Sequence, residues 1–282
     1  MSTNNYLLPR PGMPGERIRL DIQHELSLLA HDGSLLLSSF PPPKDLDGGG
    51  AASPLRVADI GTGTGIGPSN WRGMDGLGAG SFDLIHGRQV LMNLRDPDAA
   101  LQQVWLNLRP GGMIEIHESW NPLVSEWETD SGEVSVAAEE RGVDPRPVPM
   151  IVEWHRKTVE GSARMGCDLG LAARLPQALE NAGFVDVEIF DRKIPLGGWA
   201  IDGGTQDGHE RKMDELLCSM LKVAVPSMTT AFCVQGLGWS DERAVAYAAR
   251  VVKEFERENL GMDRIYARSR NVRGRKPLTP QT

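Results

Sequence analysis

The chain has 282 residues, 40% of them hydrophobic, and seven tryptophans, so it is long enough to bury a sizeable core. Its formal net charge of -8 argues against wrapping nucleic acid or docking on anionic lipid, and favours a small-molecule partner. The three cysteines are widely spaced and follow no metal-ligand pattern, which indicates reduced thiols, no bound metal and a cytoplasmic or nuclear location.

The N-terminal segment divides into a tail and a helix. Residues 1–15 are polar and rich in Pro and Gly, so we expect a disordered tail with neither a secretory signal nor a membrane anchor. Residues 16–30 show helical periodicity, and we expect this helix to end at Asp32 and Gly33. Its predicted inward face consists of Ile18, Ile22, Leu26 and Leu29.

Strand and helix patterns alternate along the rest of the chain. Strands are predicted over residues 55–60, 81–86, 113–117, 185–190 and 265–272. Helices are predicted from Pro97 to 108 and over 151–165, 171–182, 213–225 and 240–257. Ile189 in one strand and Val245 in the last helix are expected to face the core. The alternation predicts an α/β fold with a doubly wound, mostly parallel sheet.

A glycine-rich turn follows the first predicted strand. Asp59 ends that strand, and the next residues are Gly61, Thr62, Gly63, Thr64 and Gly65. Without β-carbons, such a turn lets a ligand lie against the backbone with Asp59 beside it, although it is also a common way to leave a strand. A dinucleotide fingerprint requires glycine where Ile66 stands, and the Gly-Lys-Ser/Thr of a P-loop is absent, so both nucleotide-binding interpretations are excluded.

The string VADIGTGTGIG resembles motif I of class I, S-adenosylmethionine-dependent methyltransferases. The similarity extends over nearly the whole chain, which resembles the fungal LaeA-like family, whose members include secondary-metabolite methyltransferases and a regulator of that metabolism. The segments that carry it are RLDIQH at 19–24, Asp32-Gly33, FDLIHGR at 82–88, RPGG at 109–112 with IEI at 114–116, Gly183-Phe184, LGWS at 237–240 and GRKP at 274–277.

The resemblance implies a Rossmann-like fold, S-adenosylmethionine as cofactor and a small-molecule methyl acceptor. The residues that it assigns to the methionine and ribose parts of the cofactor are Asp59, Gly61, Thr62, Gly63 and Gly65. It places His86 and Arg88 beside the methyl end of the cofactor. A sulfonium methyl group is already activated, so such an enzyme mainly aligns a nucleophile and excludes water.

One part of the family pattern is missing. Only fifteen residues lie between Gly65 and Ser81, and several glycines and a proline among them disfavour any helix. In the family this interval holds the second and third strands, which end in acids for the ribose hydroxyls and the adenine. Two crossovers cannot fit here, so we predict that the chain lacks both strands, through a deletion between Ile66 and Trp71 such as a skipped exon or a faulty gene model.

Three further residues are candidates for catalysis. His117 and Glu118 end the third predicted strand, where ligands bind in open α/β sheets, so either could orient a substrate hydroxyl, although a structural strand-end pair is the alternative. His155 could face the pocket from a helix, although packing is the commoner role of such a histidine. Asp21 and His24 could close over the cofactor, or they could make a hydrogen bond on the helix surface.

We therefore expect a single domain over residues 16–282. Its truncated Rossmann core spans 55–120, a mostly helical cap covers 121–182 and 205–260, and C-terminal strands lie at 183–192 and 263–276. The predicted function is methyl transfer to a small molecule in fungal secondary metabolism, impaired by loss of the adenosine-binding segment. The alternative is a pseudo-methyltransferase that serves as an interaction or regulatory protein with a protein partner.

Overall fold

The computed structural model describes six stretches of the chain, residues 14–37, 55–61, 80–125, 149–198, 208–254 and 265–278. Most of the predicted N-terminal tail and most of the interval before Ser81 lie outside these stretches. The same is true of Thr62, Gly63 and Gly65. The predicted loss of two strands after the glycine turn therefore stays a prediction.

Each predicted strand and helix has a counterpart in the structure. The strands are β1 (Val57–Ile60), β2 (Phe82–Arg88), β3 (Leu108–Ser125), β4 (Val185–Leu196) and β5 (Ile265–Arg275). The helices are α1 (Pro14–Ala30), α2 (Pro97–Asn107), α3 (Met150–Arg164), α4 (Leu171–Asn181), α5 (Gly208–Met228) and α6 (Asp241–Glu254). A short 3-10 turn at Leu91–Asn93 follows β2, and a π-helical turn at Thr229–Val234 continues α5.

The five strands form one mixed sheet in the order β1-β2-β3-β5-β4. β1, β2 and β3 are parallel to one another, whereas β5 is antiparallel to both β3 and β4. Among the described strands, four thus share one direction and β5 is reversed. Within the part of the chain that the structure describes, β1 pairs only with β2 and is an edge of the sheet. The fold is α/β, as predicted; the sheet was expected to be mostly parallel, and the described strands form two parallel and two antiparallel pairings.

Capping residues explain where several helices begin and end. The Asp96 carboxylate accepts a hydrogen bond of 2.9 Å from the amide of Ala99, and Pro97 occupies the first turn, so α2 starts there. Ser240 caps α6 in the same way through the amide of Arg243. Gly33, with a φ of +82°, donates its amide to the carbonyl of Leu28 and ends α1.

Two groups of apolar side chains form the interior. The sheet core packs α2, α4 and the π-helical turn against the sheet and includes Ile85, Leu101, Ile114, Leu175, Phe232 and Val272. The helical core joins α1, α3, α5 and α6 to the far ends of β4 and β5 and includes Leu26, Trp154, Leu196, Leu217, Val251 and Ile265. The sheet core lies under the strand ends where the candidate site is found.

Three residues that were expected to face the core are exposed: Ile18 by 53%, Ile189 by 48% and Val245 by 65%. In α1 the buried face includes Arg19, whose guanidinium pairs with Glu16, so the apolar stripe is rotated away from Ile18. In α6 the buried face is the Ala244, Ala248 and Val251 side, which leaves Val245 outside.

The exposure of Ile189 has a different cause. The pairing of β4 with β5 shifts register between Val185 and Glu188, and such a shift changes which side chains face the core. A strict alternation along β4 was therefore the wrong expectation.

α5 and its π-helical extension form one long apolar element. The 27 residues Gly208–Val234 are long and apolar enough to cross a membrane by length and composition. Leu217, Leu221 and Val225 on this element are buried in the helical core, and the helix packs against α1 and β4. A core helix of a soluble protein passes the same test, so the pattern is weak support for a membrane span.

Candidate functional site

The carboxyl ends of three parallel strands bring the candidate residues together. In the sheet register Asp59 on β1 lies beside His86 on β2, and Arg88 on β2 lies beside His117 on β3. Ligands of open α/β sheets bind at this edge, because the loops that leave the strands surround it. The structure thus places four of the residues predicted from sequence at one edge of the sheet.

The start of the glycine turn requires glycine for two reasons. Gly61 has a φ of +73°, and a β-carbon there would lie 2.8 Å from the β-carbon of Val90. On the neighbouring strand, a β-carbon at Gly87 would lie 2.9 Å from Cγ1 of Ile60. The backbone therefore turns tightly past β2 at the point where the sequence predicted a cradle for a ligand.

Asp59 and His86 form the polar pair at this turn. Oδ1 of Asp59 lies 2.8 Å from Nδ1 of His86; the Asp59 side chain is half exposed, whereas that of His86 is buried. Among the described residues, Nε2 of His86 has no hydrogen-bond partner. The half-exposed carboxylate is free to accept a hydrogen bond from a ligand while it orients the ring.

A second pair lies behind the first. Nε2 of His117 is 2.6 Å from Oε1 of Glu115, and the same oxygen accepts a hydrogen bond of 2.8 Å from the amide of Leu37. The ring of His117 meets those of His86 and His31 edge to face, at centroid distances of 4.9 and 5.2 Å. We call His31, His86, Glu115 and His117 the histidine cluster.

Sequence reasoning missed two members of this cluster. Glu115 shares a strand face with His117 because side chains alternate along β3, so its position was available from the pattern. His31 follows α1 and reaches the cluster only through tertiary packing, where its Nε2 lies 2.9 Å from Nδ2 of Asn271.

Burial favours the neutral form of two histidines of the cluster, His31 and His117. It lowers the pKa of His117, although the hydrogen bond to Glu115 opposes this shift. Burial, together with His117, lowers the pKa of His31 to about 4. Neutral imidazoles carry a nitrogen lone pair that can accept a proton or bind a metal ion.

Arg88 connects the site to α1. Its Nη2 lies 2.9 Å from Nδ1 of His24, and burial lowers the pKa of the guanidinium while Asp59 opposes the shift. An arginine remains charged under such conditions. The predicted role of His24 in closing over a cofactor stays a prediction; the structure places this residue against Arg88, and Asp21 is exposed.

Glu118 lies on the other face of β3 from His117. Its Oε1 accepts hydrogen bonds from the amides of Val90 (3.1 Å) and Leu91 (2.8 Å), at the start of the 3-10 turn. Burial raises the pKa of this carboxyl to about 8, and the backbone hydrogen bonds oppose that rise. The structure therefore gives Glu118 a positioning contact with the loop after β2, and it does not pair Glu118 with His117.

His155 is buried on α3, in the part of the fold that holds the helical core. Its ring contacts that of Trp154, and burial lowers its pKa to about 4. The described residues provide no contact between His155 and the histidine cluster. The proposed catalytic roles of His117, Glu118 and His155 stay predictions.

Sequence comparisons identify relatives in fungi, although no protein-family model matches the chain. Methyltransferase pytC of Aspergillus terreus is 24% identical over 89% of this chain and 79% of its own length. Probable methyltransferase tdiE of Emericella nidulans is 25% identical over 94% and 83%. Secondary metabolism regulator LAE1 of Cochliobolus heterostrophus is 22% identical over 68% and 67%.

Solved structures give only a remote likeness. Phosphoethanolamine N-methyltransferase 2 of Haemonchus contortus matches with a TM-score of 0.33 and 14% identity, over 71% of this chain and 34% of that one. The [4+2]-cyclase SpnF matches with a TM-score of 0.32 and 17% identity, over 72% and 53%. The chain thus spans between a third and about half of these structures, and such TM-scores assign neither fold nor function.

The assignment consequently rests on the fungal sequences, which align over most of the chain and most of their own length. By sequence, the chain is related to fungal methyltransferases and to a fungal regulator of secondary metabolism, in agreement with the class I, S-adenosylmethionine-dependent type expected from its glycine-rich turn.

Proposed function

We propose that the protein is an S-adenosylmethionine-dependent methyltransferase of the LaeA-like type, acting on a small molecule of fungal secondary metabolism in the cytoplasm. The observation that carries the proposal is the turn after β1, where only glycine fits at position 61 and Asp59 presents a half-exposed carboxylate beside it. The fungal relatives supply the reaction class, since two of them are named methyltransferases.

The residues at this turn fit the cofactor. A β-carbon at Gly61 would clash with Val90, so the backbone can take this tight turn beside Asp59 only with glycine at position 61. Asp59 would accept hydrogen bonds from the amino or hydroxyl groups of the cofactor. The bound cofactor supplies an activated methyl group, so the protein has to align the acceptor and exclude water.

We also propose that this chain has lost the adenosine-binding strands of its relatives. The alignment with pytC runs over 285 positions yet covers 89% of a 282-residue chain, so it must contain gaps on this chain's side. An in-frame coding segment in the genomic DNA between the codons of Ile66 and Trp71 would identify a faulty gene model. Uninterrupted coding sequence would show that the short interval belongs to the protein.

The cofactor proposal is tested by calorimetry of S-adenosylmethionine binding to the purified protein. We expect micromolar binding to the wild type and at least tenfold weaker binding to Gly61→Ala, because the new methyl group overlaps Val90. Gly238→Ala is the matched control: Gly238 has a similar φ of +71°, but a β-carbon at this position would have no atom within 4 Å. Its binding should equal that of the wild type, with folding of each variant checked by circular dichroism.

A second candidate function is favoured by the fifteen-residue interval between Gly65 and Ser81. A pseudo-methyltransferase would keep the sheet as a scaffold for a protein partner. Well-folded wild-type protein that does not bind S-adenosylmethionine at millimolar concentration would support this alternative and contradict the enzyme.

If the cofactor binds, transfer of a labelled methyl group to the low-molecular-mass fraction of a fungal extract tests the small-molecule acceptor. Label on protein alone would contradict it.

A further inference from the structure

Three buried side chains of the histidine cluster converge on one point. His86, Glu115 and His117 each offer a ligand atom, and these atoms all lie within 4.8 Å of one another. The three residues are 6%, 1% and 3% exposed, so bulk water does not compete for them as it does at a surface acidic patch. Two imidazoles and a carboxylate thus converge in the interior, where Glu115 already accepts hydrogen bonds and Nε2 of His86 has no partner among the described residues.

His86 is held in the tautomer that a metal ligand needs. Its Nδ1 lies 2.8 Å from Oδ1 of Asp59, so the ring donates its proton to that carboxylate and the lone pair remains on Nε2. Nε2 is buried and, within the stretches that the structure describes, has no partner. Metal-bound histidines commonly donate their second nitrogen to a carboxylate in this manner, which fixes the ring and raises its basicity.

The separation of the ligand atoms is close to that of a tetrahedral site. Metal-ligand bonds of about 2.0–2.1 Å place neighbouring ligand atoms about 3.3 Å apart. An ion would displace the proton shared by His117 and Glu115 to solvent, and their separation of 2.6 Å would open by less than an ångström. The longest separation, which is within 4.8 Å, would contract by up to about 1.5 Å. Side-chain rotations on β2 and β3 can supply both movements.

We propose that His86, Glu115 and His117 bind one divalent first-row transition-metal ion of the zinc type, with Asp59 positioning His86. Two nitrogens and one oxygen suit zinc, cobalt or nickel, whereas magnesium and calcium prefer oxygen ligands throughout. The carboxylates of Asp59 and Glu115 supply two negative charges against the one positive charge of Arg88. The ion would link β2 to β3 and, through Leu37, to the chain that follows α1.

The cysteine pattern gave no sign of this site because its ligands are two histidines and a glutamate. The two histidines are on different strands, and Glu115 had no recognised role before the structure placed it beside His117. The metal proposal shares Asp59 and His86 with the proposed cofactor site, but its test is independent of methyl transfer, since metal occupancy is measured directly and without cofactor.

Cobalt(II) titration of chelator-stripped protein tests the site, because low-symmetry four-coordinate cobalt absorbs visible light far more strongly than the hydrated ion. We expect one equivalent to bind, zinc to displace it and magnesium to leave it in place. His86→Gln should abolish the absorption. Asp59→Asn keeps every ligand but removes the carboxylate behind His86, so its affinity should fall about 10- to 100-fold.

His155→Gln is the matched control, because His155 is also a buried histidine with an unpartnered ring nitrogen among the described residues. It should bind cobalt as the wild type does. Absence of the absorption from folded wild-type protein would overturn the proposal and leave a cluster held by hydrogen bonds and water. Equal binding by wild type and Asp59→Asn would also overturn it, and this comparison decides the matter if His86→Gln fails to fold.

Discussion

A buried histidine makes the free energy of unfolding depend on pH. His155 is buried on α3, and burial together with the neighbouring charge of Arg156 lowers its pKa to about 4. The unfolded chain binds a proton at this ring near the ordinary pKa of 6.5. Between these two values the unfolded state holds more protons than the native state, so the free energy of unfolding must fall as the pH falls.

We expect His155→Gln to flatten this dependence. The wild type should lose up to about 3 kcal/mol more than the variant between pH 6.5 and pH 4, and the contribution should be constant above about pH 7.5. Urea denaturation at a series of pH values measures the two profiles. Parallel profiles over that window would show that the native state protonates His155 as readily as the unfolded chain does.

At the candidate site, the local sequence was sufficient to predict some of the residues but not others. Asp59 and Gly61 were predictable because a strand, an acid and a glycine stand in immediate succession. The partnership of His86 with Asp59 needed the pairing of β1 with β2, which residues 57–60 alone do not specify. His31 joined the cluster through packing of α1 against the sheet, an interaction that no local pattern encodes.

Among the elements, α3 and the π-helical turn approach unusually closely. A β-carbon at Gly161 on α3 would lie 2.2 Å from the carbonyl oxygen of Phe232, and one at Gly236 would lie 2.2 Å from the carbonyl oxygen of Gly161. Nε1 of Trp154 donates a hydrogen bond of 2.8 Å to Oγ1 of Thr229 across the same contact. The two backbones therefore touch because both positions lack a side chain.

Gly161→Ala should separate these elements. The added methyl group meets backbone rather than a flexible side chain, so we expect the free energy of unfolding to fall by about 3 kcal/mol. Gly208→Ala at the start of α5 is the control, because no atom lies within 4 Å of a β-carbon there, and it should cost nothing. Chemical denaturation compares the two; a loss below about 1 kcal/mol for Gly161→Ala would contradict this contact.

The long amphipathic elements were predictable from their periods, whereas their irregular ends were not. α2 was found from Asp96, Pro97 and the stripe that follows, because cap and period agree. The π-helical turn and the register shift of β4 depend on what packs against them, so the periodicity of the sequence predicts neither of them.

At the scale of the whole molecule, the edge of the sheet at β1 is exposed. β1 is one of the two outermost described strands, and Val57 on it is 48% exposed. A strand edge with an exposed apolar side chain can pair with another chain. The fold class followed from the alternation of strands and helices, but the order of strands did not, since β5 lies between β3 and β4 although it comes last of the five.

We expect Val57→Lys to reduce self-association without loss of stability, because a charge on an edge strand opposes edge-to-edge pairing. Light scattering over a concentration series measures the effect, and a severalfold rise in the onset concentration is the expected result. Val245→Lys on α6 adds the same charge at an exposed position away from any strand edge and should change little. Equal effects of the two substitutions would mean that net charge, rather than the edge, controls association.

The central place of β5 also bears on how the protein is made. Ribosomes release a chain from its N-terminus, and β5 is the last described strand to emerge, yet it alone bridges β3 to β4. Until Arg275 has left the exit tunnel, the nascent sheet consists of a three-stranded piece and a separate fourth strand. Completion of the sheet must therefore follow translation of β5, and a polypeptide that stalls before Ile265 presents the unpaired β4 and the uncovered edge of β3 to the chaperones of the cell.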